Sequence, residues 1–511
     1  MWYDWICEKR SQQRTVLSMY NSILHFIEND IKEIENLVAA MLKGNKEPHD
    51  LSQDIHDRML GLGARLIAEL YEKIDDEIRE SLIRKKKWNI EQRNESKELL
   101  DILGPIRFRR TGYRDKKTGK FVYLLDEILG IEGHQRITLG AAACILEEAV
   151  QTSYAKGGQT IPLMGQVSKQ TVKRLVHDTE AQLPVAPPAE KKRLEYLHIV
   201  ADEDHVAAQF WNQKGDLGKD SRGNKINTIM PKLICLYEDV VDEAGETSKS
   251  PRHKLTGKHY FCGIYKGQEA NKRLWEEVRD YIDTYYDTEY LKCVYIAGDG
   301  AGWIRAGCEV LGKGRFVLDK FHMMKYVNIS VSHLLDSAQE VKSEIWECLN
   351  GRYKKRLQKV YSEILKVTEE GGKYRDVEGA LGYFLNQWDG IQIRTEEAGA
   401  NWKCCAEGQV SHVLSARMSS RPMGWSEQGC GRMSGLRAYT KNGGKIIDLL
   451  AYQKERRREK PLSEEEIEMK KEVCKKQAGW RYQERLRGRL PGLEQHSMKW
   501  MRVWINQELG A

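Results

Sequence analysis

The sequence lacks any apolar run near the length of about 20 residues that a membrane-spanning helix needs. Its start, MWYDWICEKRSQQR, also lacks the basic-then-apolar order of a signal peptide. The eleven cysteines are scattered, with no C-x-x-C pair and one adjacent pair, Cys404-Cys405. This spacing argues against a zinc ribbon and against a disulfide framework. We therefore expect a protein of a reducing, cytoplasmic setting with no membrane partner.

A strong excess of charge of one sign is missing as well. The 511 residues carry a formal net charge of +7, with 41% hydrophobic and 31% charged residues. This composition is typical of a globular chain with sizeable cores, long enough for about two to four domains. The mild basic excess allows a polyanionic partner without requiring one.

Proline and glycine are scarce in the first hundred residues. No proline lies between Pro48 and Pro105, and apolar residues recur there at helical spacing. We predict an N-terminal helical region over 1–104, with packing or oligomerisation favoured over direct DNA contact. The prolines of LPVAPP, which hold a chain extended, predict a linker over 183–190.

Residues 107–124, RFRRTGYRDKKTGKFVYL, alternate basic and aromatic residues around a turn at 115–119. The pattern predicts a β-hairpin with one cationic face. Arg109 and Arg110 would contact a phosphate backbone. A solvated edge strand guarded by charge explains the same pattern equally well.

A helix-turn-helix is predicted within 138–178, and with the hairpin it makes 105–182 a DNA-binding region. The first helix covers about Leu139 to Tyr154, and Ser168 is suited to N-cap the second. The candidate groups for reading a major groove lie on its first turns. They are Lys169, Gln170, Lys173 and Arg174.

The most informative stretch is 291–327, LKCVYIAGDGAGWIRAGCEVLGKGRFVLDKFHMMKYV. A predicted buried strand ends at Asp299, and a second one ends at Asp319 with His322 three residues later. Functional groups of open α/β sheets collect at such strand ends. An Asp there also serves often as nothing more than a helix N-cap.

Three strands precede this stretch, and the first, Tyr196 to Ala201, ends in Asp202-Glu203-Asp204. The order β-β-β-α-β-α-β-α is that of a ribonuclease H-like α/β sheet, in which the first and fourth strands are neighbours. Asp202 and Asp299 would then meet, although 299 − 202 = 97 residues separate them. Asp204 remains an alternative to Asp202, because both lie on one face of an extended strand.

From Lys325 to Trp402 the pattern is wholly helical and predicts an insertion into the catalytic domain. Glu407 opens a helix after it, and Glu427 is the alternative acid. The dense mixed charge of the C-terminal region is typical of a solvated helix face. The predicted catalytic domain has its first part at 191–335, the insertion at 336–402, its last part at 403–450 and the charged helical region at 451–511.

Four segments together resemble the DDE transposases, and more closely the bacterial insertion-sequence transposases of the ISLre type (UPF0236-like), relatives of the Mutator-like group. The segments are HIVADEDHVAAQ at 198–209, IAGDGAGWI at 296–304, VLDKFHMMKY at 317–326 and AEGQVSHVLSARMSSRPMGWS at 406–426. In the Mutator-like group an Asp/Cys-x-x-His follows the second acid, and an Arg follows the third by about ten residues. Asp319 with His322, and Glu407 with Arg417, match these patterns.

The resemblance implies a metal-dependent DNA strand cleavage and strand transfer. Asp202, Asp299 and Glu407 would hold two Mg²⁺ (or Mn²⁺) ions, which prefer carboxylate oxygen. His322 would contact the scissile phosphate or be a buried structural histidine. The implied partners are double-stranded DNA, as the element's terminal inverted repeats and as target, and further copies of the chain in a homo-oligomer near the nucleoid.

Two other classes of function are compatible with the sequence. A structure-specific nuclease with a ribonuclease H-like fold would need neither the helix-turn-helix nor strand transfer. A non-catalytic DNA-binding protein derived from a transposase would not need all three acids.

Overall fold

The computed structural model describes most of the chain. The described ranges are 20–162, 167–184, 186–219, 223–243, 253–400, 406–457 and 463–487. They belong to two compact units. The first unit comprises 1–145, 157–168 and 454–511, and the second comprises 146–156 and 169–453.

The first unit combines helices with a three-stranded antiparallel sheet. Its helices are α1 (Asn21–His25), α2 (Ile31–Leu42), α3 (Pro48–Glu80), α4 (Leu82–Lys87) and α5 (Leu124–Leu129). Its strands are β1 (Trp88–Asp101), β2 (Gly104–Asp115) and β3 (Phe121–Val122), in the order β1-β2-β3. Proline at the first position of α3 needs no N–H partner, so that helix begins there.

The helical region ends earlier than the sequence predicted. We expected helix up to 104, but β1 begins at Trp88 and pairs antiparallel with β2. The run from Trp88 is rich in Glu, Lys and Gln, which favour helix in isolation. Pairing with β2 outweighs that preference, and the hairpin crosses the predicted boundary at 104.

The arginines of β2 form ion pairs across the hairpin and with α3. Arg109 is exposed and lies 3.2 Å from Glu72 of α3. Arg110 is buried, contacts Asp126, and lies 3.1 Å from Glu95 of β1. The guanidinium of Arg110 is therefore enclosed and already neutralised, which counts against the expected phosphate contact. The sequence could not show this, since Glu95 lies in the region predicted as helix and Asp126 lies beyond the predicted hairpin.

The second unit is built on a five-stranded mixed sheet. Its strands are β4 (Tyr196–Glu203), β7 (Lys232–Tyr237), β10 (His259–Gly263), β11 (Cys293–Gly298) and β12 (Gly314–Leu318), and their order is β10-β7-β4-β11-β12. Two short pairs lie beside it, β5 (Val206–Ala207) with β6 (Thr228–Ile229) and β8 (Asp239–Asp242) with β9 (His253–Thr256). The strands of the main sheet are short apolar runs that end at polar or glycine residues, as the sequence predicted.

The first and fourth strands of the domain are neighbours, which confirms that prediction. β4 and β11 pair in parallel with Cys293 opposite Tyr196 and Ala297 opposite Val200. β12 continues the parallel part beside β11, whereas β7 pairs antiparallel with β4 and β10 with β7. The carboxyl ends of three parallel strands therefore share one edge of the sheet.

Helices cover the sheet of the second unit. They include α8 (Lys169–Asp178), α9 (Gly267–Tyr285), α10 (Gly302–Leu311), α11 (Lys320–Val331), α12 (Ala338–Asn350), α13 (Lys354–Val367), α14 (Gly372–Asn386) and α15 (Trp388–Glu396). After them come α16 (Ala406–Val410), a π-helix over Ser411–Ser415, α17 (Ala416–Met418) and α18 (Glu427–Lys441). Where we expected one or two long helices in the insertion, four occur, and they share one apolar core with the sheet.

Three helices contain residues of both units. They are Leu139–Gln151 (α6), Tyr154–Gly157 (α7) and Ile446–Arg457 (α19), and a further helix, Glu464–Arg487 (α20), follows. The region 105–182, which the sequence predicted as one domain, is thus divided between the two units. Gly165 and Gln166 of the predicted turn lie outside the described residues. No helix in the described part of the chain is long and apolar enough to cross a membrane.

Substitution of Arg110 tests the ion pairs of the first unit. Arg110→Ala leaves the carboxylates of Asp126 and Glu95 without their cation, and buried pairs broken in this way lose about 3–5 kcal/mol. We expect the free energy of unfolding of Arg110→Ala, measured by urea denaturation, to be lower than that of the wild type by about 3–5 kcal/mol. Arg107→Ala removes an exposed partner of Glu98 and should leave stability nearly unchanged. Equal effects of the two substitutions would contradict the burial of Arg110.

Candidate functional site

Three aspartates follow the carboxyl ends of the three parallel strands. Asp202 is the penultimate residue of β4, Asp299 follows β11 and Asp319 follows β12. The backbone N–H of Asp319 donates to the carbonyl of Gly298 at 3.0 Å, which holds the ends of β11 and β12 side by side. Parallel pairing therefore brings Asp299 and Asp319 to the same sheet edge as Asp202, although they lie 97 and 117 positions later in the sequence.

The glycines around Asp299 allow the close packing at this edge. A Cβ on Gly298 would lie 2.9 Å from the carbonyl oxygen of Ala201 and 2.7 Å from Ile304. Gly300 has φ of +90° and packs against Gln387, where a Cβ would come within 2.4 Å. The Gly-Asp-Gly sequence thus fixes the backbone of Asp299 while leaving its carboxylate half-exposed.

The carboxylate of Asp299 is also oriented by hydrogen bonds. Its Oδ1 accepts from the backbone N–H of Ala301 at 2.8 Å, just before α10 begins. The hydroxyl of Tyr383, from α14, donates to the Asp299 carbonyl at 2.7 Å. Asp299 is not the N-cap of α10, because Ala301 holds that position, and its bond to the Ala301 N–H closes a turn just before the helix.

Asp202 and Asp204 have different surroundings, which separates the two candidates for the first acid. Burial raises the pKa of Asp202 to about 6, and the negative charges of Asp299 and Glu407 contribute in the same direction. Asp204 instead accepts hydrogen bonds from the Ser419 hydroxyl at 2.9 and 3.0 Å. The proximity of Asp202 to the other two acids favours it over Asp204.

Asp319 and His322 form a pair beside these acids. Asp319 is buried, caps α11 by accepting from Phe321 N at 3.2 Å, and lies 3.3 Å from His322 Nδ1. Burial lowers the pKa of His322, but the bond to Asp319 and the charges of Asp202 and Asp299 outweigh burial and raise it. The imidazole is therefore favoured in its charged form at this acidic edge.

The two candidates for the third acid also differ. Glu407 is exposed on α16, which packs on β4, and its charge acts on Asp202. Glu427 begins α18 and forms an ion pair with Lys266 at 2.7 Å. The Glu427 carboxylate is thus engaged by Lys266, which favours Glu407.

The helix of Glu407 is held in place by a buried arginine that the sequence analysis missed. Arg437 of α18 donates to the carbonyls of His412 and Val413, in the π-helix that follows α16, and at 2.8 Å to that of Val150. A π-turn displaces carbonyls from their usual intrahelical partners, and the guanidinium satisfies two of them. Burial of a cation that has only carbonyl partners lowers the pKa of Arg437.

Arg417, which the resemblance singled out, is a second buried cation. Its Nε donates to the Ala149 carbonyl at 3.0 Å, and its guanidinium stacks 5.0 Å from the ring of Trp425 and 5.6 Å from that of Tyr154. Burial lowers its pKa to about 10. In this structure Arg417 packs between α6, α7 and the segment before α18, and it does not contact the acids.

Side chains of the helical insertion were also missed as parts of the site. Tyr383 and Gln387 contact the turn around Asp299, as described above, and Arg305 of α10 bonds to Gln387 and to Asp389 at 2.8 Å. Arg394 of α15 is half-buried, and the charge of Asp319 acts on it. Arg305 directly follows the IAGDGAGWI segment, whereas Tyr383, Gln387 and Arg394 lie on helices with no distinctive motif, so only the folded arrangement relates these three to Asp299.

The predicted DNA-reading helix exists as α8, which begins at Lys169 directly after Ser168. Lys169, Gln170 and Arg174 are exposed and Lys173 is half-buried, whereas Val172 and Val176 are buried. The opposite side of α8 packs on α18, where His177 lies 3.2 Å from Gln428. The exposed cations of its first turns remain candidates for phosphate contact.

The donor chemistry at the edge suits a hard cation, although no ligand cluster is assembled. Asp202, Asp299 and Glu407 offer carboxylate oxygens, the donors that Mg²⁺ and Mn²⁺ prefer. Within the described ranges, no three His, Cys, Asp or Glu side chains lie close enough together to hold a metal ion. The three-acid ligand set therefore stays a prediction.

The raised pKa of Asp202 predicts that a substitution which removes its charge stabilises the protein. Because its folded-state pKa of about 6 lies above the ordinary 3.8, the ionised carboxylate is disfavoured in the folded state. The resulting loss of stability is absent when the pH lies below the ordinary pKa and is complete when the pH lies above the folded-state pKa. Asp202→Asn should raise the free energy of unfolding by about 1–3 kcal/mol at pH 8 without divalent ions, and not at pH 3.5.

The control for this measurement is Asp204→Asn, which weakens the bonds from Ser419 and should not stabilise the protein. Urea denaturation at the two pH values gives both results. A gain for Asp204→Asn alone, or a pH-independent gain for Asp202→Asn, would show that the folded state does not disfavour the ionised Asp202 carboxylate.

Comparison with known proteins gives a family and a weak structural similarity. A family model described as an uncharacterised protein family, UPF0236, matches residues 46–455. The chain of the Drosophila P element transposase in its strand transfer complex is 13% identical, with 64% of this chain and 83% of that chain covered and a TM-score of 0.19. Similarity of that size establishes no shared fold.

The relatives in sequence cover most of the chain. A UPF0236 protein of Caldanaerobacter subterraneus subsp. tengcongensis, whose name joins eleven designations, is 34% identical over 421 residues, 82% of this chain and 84% of its own. Another from that organism, with four designations, has the same identity and coverage. A UPF0236 protein in the vanSb 3′ region of Streptococcus gallolyticus is 21% identical over 420 residues, 80% of this chain and 86% of its own. By the family match and by these relatives, the chain belongs to the UPF0236 family.

Proposed function

We propose that this chain is a DDE-type DNA transposase that cleaves the ends of an insertion sequence and joins them to target DNA. The observation that carries the proposal is the parallel pairing that brings the strand ends of Asp202 and Asp299 to one sheet edge, where the charges of Asp299 and Glu407 both raise the pKa of Asp202. The strand order, with three parallel strands followed outward by two antiparallel ones, supports a ribonuclease H-like fold for the second unit.

In the proposed site Asp202, Asp299 and Glu407 hold two divalent ions, Mg²⁺ or Mn²⁺. Bound there, the ions supply activation of the attacking oxygen and stabilisation of the leaving oxygen of a phosphodiester. The protein contributes the placement of the acids. Asp299 is fixed by the Ala301 N–H and by Tyr383, and Glu407 is fixed through the hold of Arg437 on the following π-helix.

His322 contributes positive charge where DNA must approach. A phosphodiester that enters this edge meets the charges of three carboxylates, and a protonated imidazole next to them reduces the repulsion. Asp319 orients the ring by accepting from Nδ1, which leaves Nε2 to face the substrate. We therefore assign His322 contact with the scissile phosphate and Asp319 the positioning of His322.

The names of the relatives support a mobile gene. In one organism a single UPF0236 protein carries eleven designations and another carries four. Several genes for one protein in a genome are expected of an element that multiplies by transposition. A structure-specific nuclease with a housekeeping role gives no reason for such multiplicity.

The proposed partners are the terminal inverted repeats of the element, target DNA and further copies of the chain in the nucleoid. Inverted repeats in the DNA that flanks the gene would supply the natural substrate. Recognition of those ends is assigned to α8 with Lys169, Gln170, Lys173 and Arg174, because basic and polar side chains on the first turns of a helix suit the backbone and base edges of a major groove.

Loss of one acid should abolish cleavage but spare binding. Asp299→Asn keeps the shape of the side chain and removes the charge, so cleavage of labelled flanking DNA in Mg²⁺ should fall by about two orders of magnitude or more. Gel-shift binding should persist, because it draws on basic residues elsewhere. Glu407→Gln should act in the same way.

The matched control is Glu427→Gln, which removes an exposed acid paired with Lys266 and should retain cleavage. Full cleavage by Asp299→Asn would refute the assignment of the site. Cleavage by the wild type without joining of ends to target DNA would favour the nuclease over the transposase.

Salt dependence tests the role of α8. Lys169→Ala with Lys173→Ala removes two candidate phosphate contacts, so the slope of log K against log salt should fall by about two. Fluorescence anisotropy on flanking DNA over a range of KCl gives the slope for the full chain. The control is Lys43→Ala with Lys46→Ala, two exposed lysines beyond the end of α2. A change of slope in the control alone would assign DNA contact to the N-terminal helices.

A further inference from the structure

Two consecutive aromatic side chains are exposed on a loop that the site described above does not use. Phe210 is 47% exposed and Trp211 is 70% exposed. Trp211 is the only tryptophan among the large apolar side chains that are exposed in the described part of the chain. Burying such a ring is strongly favourable, so a ring held in solvent points to a partner.

Backbone hydrogen bonds and a contact of the Trp211 ring shape the loop that carries these side chains. We call it the aromatic loop and define it by residues 208–219 and 223–227. The backbone N–H of Trp211 donates to the backbone carbonyl of Asp216 at 2.8 Å, and the backbone N–H of Ile226 donates to the Gly218 carbonyl at 2.7 Å. The indole lies over Gly218, where a Cβ would come within 3.4 Å of the ring, and its remaining surface faces solvent.

The base of the aromatic loop lies close to the candidate acids. The loop leaves β5, which begins three residues after the end of β4. The backbone N–H of Gln209 donates to the Trp425 carbonyl, and the backbone N–H of Trp425 donates to the Ala207 carbonyl, both at 2.9 Å. The loop is thus tied to the segment between α17 and α18, next to Ser419, which bonds to Asp204.

The charge around the rings is positive. The aromatic loop as defined contains three lysines and one aspartate, a net charge of 3 − 1 = +2. Lys214, Lys219 and Lys225 are exposed, and Lys225 donates to a backbone carbonyl, which leaves its charge unneutralised. Asp216 is half-buried and accepts from the Asn212 N–H, so it is used within the loop.

We propose that the aromatic loop binds unpaired bases of the DNA next to the cleaved phosphate, with Trp211 and Phe210 stacking on the bases and the lysines contacting the backbone. The proposal rests on the proposed function and deepens it by naming the form of the substrate. Aromatic rings beside cations are what single-stranded nucleic acid binds, because every base offers a π-face.

The same surface suits intact duplex poorly. Bases of a duplex are stacked on one another, and a ring that lies on a surface loop reaches them only where the helix is opened. Opened bases occur at the ends and nicks that cleavage produces, and the loop lies at the edge where cleavage is proposed. A protein partner would favour an apolar surface of larger area with fewer lysines around it.

The test is a comparison of two probes that contain no cleavable site. One is a blunt DNA duplex, and the other is the same duplex with an oligo(dT) tail of about eight nucleotides. Anisotropy in EDTA gives the dissociation constant of the full chain for each, so that catalysis plays no part. The wild type should bind the tailed probe more tightly, and Trp211→Ala should weaken that binding about tenfold while leaving the blunt probe unchanged.

Two further variants fix the interpretation. Trp211→Phe should keep most of the preference for the tail, because it retains a stacking ring. Tyr353→Ala, an exposed aromatic on the loop before α13, should behave as the wild type. Equal losses on both probes, or no loss for Trp211→Ala, would overturn the proposal. A change of oligomeric state in Trp211→Ala, seen by light scattering without a change in tail preference, would make the loop a self-association surface instead.

This experiment is separable from the test of the proposed function. If Asp299→Asn cleaves normally while Trp211→Ala loses the tail preference, the loop binds single strands in a protein that is not a DDE transposase. If Asp299→Asn loses cleavage and Trp211→Ala binds the tail as the wild type does, the transposase assignment stands and the aromatic loop has no part in it.

Discussion

Parallel pairing of β4 with β11 is the constraint on which the candidate site depends. Its register places Ala297 opposite Val200, so the residues that follow, Asp202 and Asp299, emerge at one edge. Gly298 makes the register possible, because any side chain there would press against the Ala201 carbonyl. A shift of one residue would turn Asp202 to the opposite face of the sheet and separate the acids. The site therefore comes from backbone pairing first and from side-chain contacts second.

Glu407, the third acid, lies on a helix and not at a strand end. Two buried arginines hold the elements around it. Arg437 holds the carbonyls of the π-helix after Glu407, and Arg417 holds the end of α6. Both guanidinium groups donate to backbone carbonyls, and that of Arg417 also lies against aromatic faces. A cation buried in this way tolerates little movement of its acceptors, so the π-helix after α16 is firmly held.

The sequence predicted the strands that carry the acids but not the surroundings of the charged residues. Apolar runs that end at Asp202 and Asp299 are visible in the sequence, because burial on both faces of a sheet leaves that pattern. No pattern of this kind marks Arg110 as buried. Its burial depends on Asp126 and on β1, and β1 is a polar run of helix-forming residues. Tyr383 was missed for the same reason, since its contact with Asp299 joins a helix of ordinary composition to a distant strand end. Patterns along a chain report periodicity and burial, whereas partners are decided by tertiary contacts.

The electrostatics of the edge argue against a protein that only binds DNA. Asp202 is buried near two other acids, and its raised pKa means that its charge destabilises the folded chain at neutral pH. In a scaffold whose sole task was to hold duplex DNA, an asparagine there would be more stable and would repel phosphate less. The imidazole of His322 offsets part of this charge, since the same carboxylates raise its pKa. Carboxylates gathered at this cost are also the donors that a hard divalent cation prefers, and this is the physical reason for proposing a cation here.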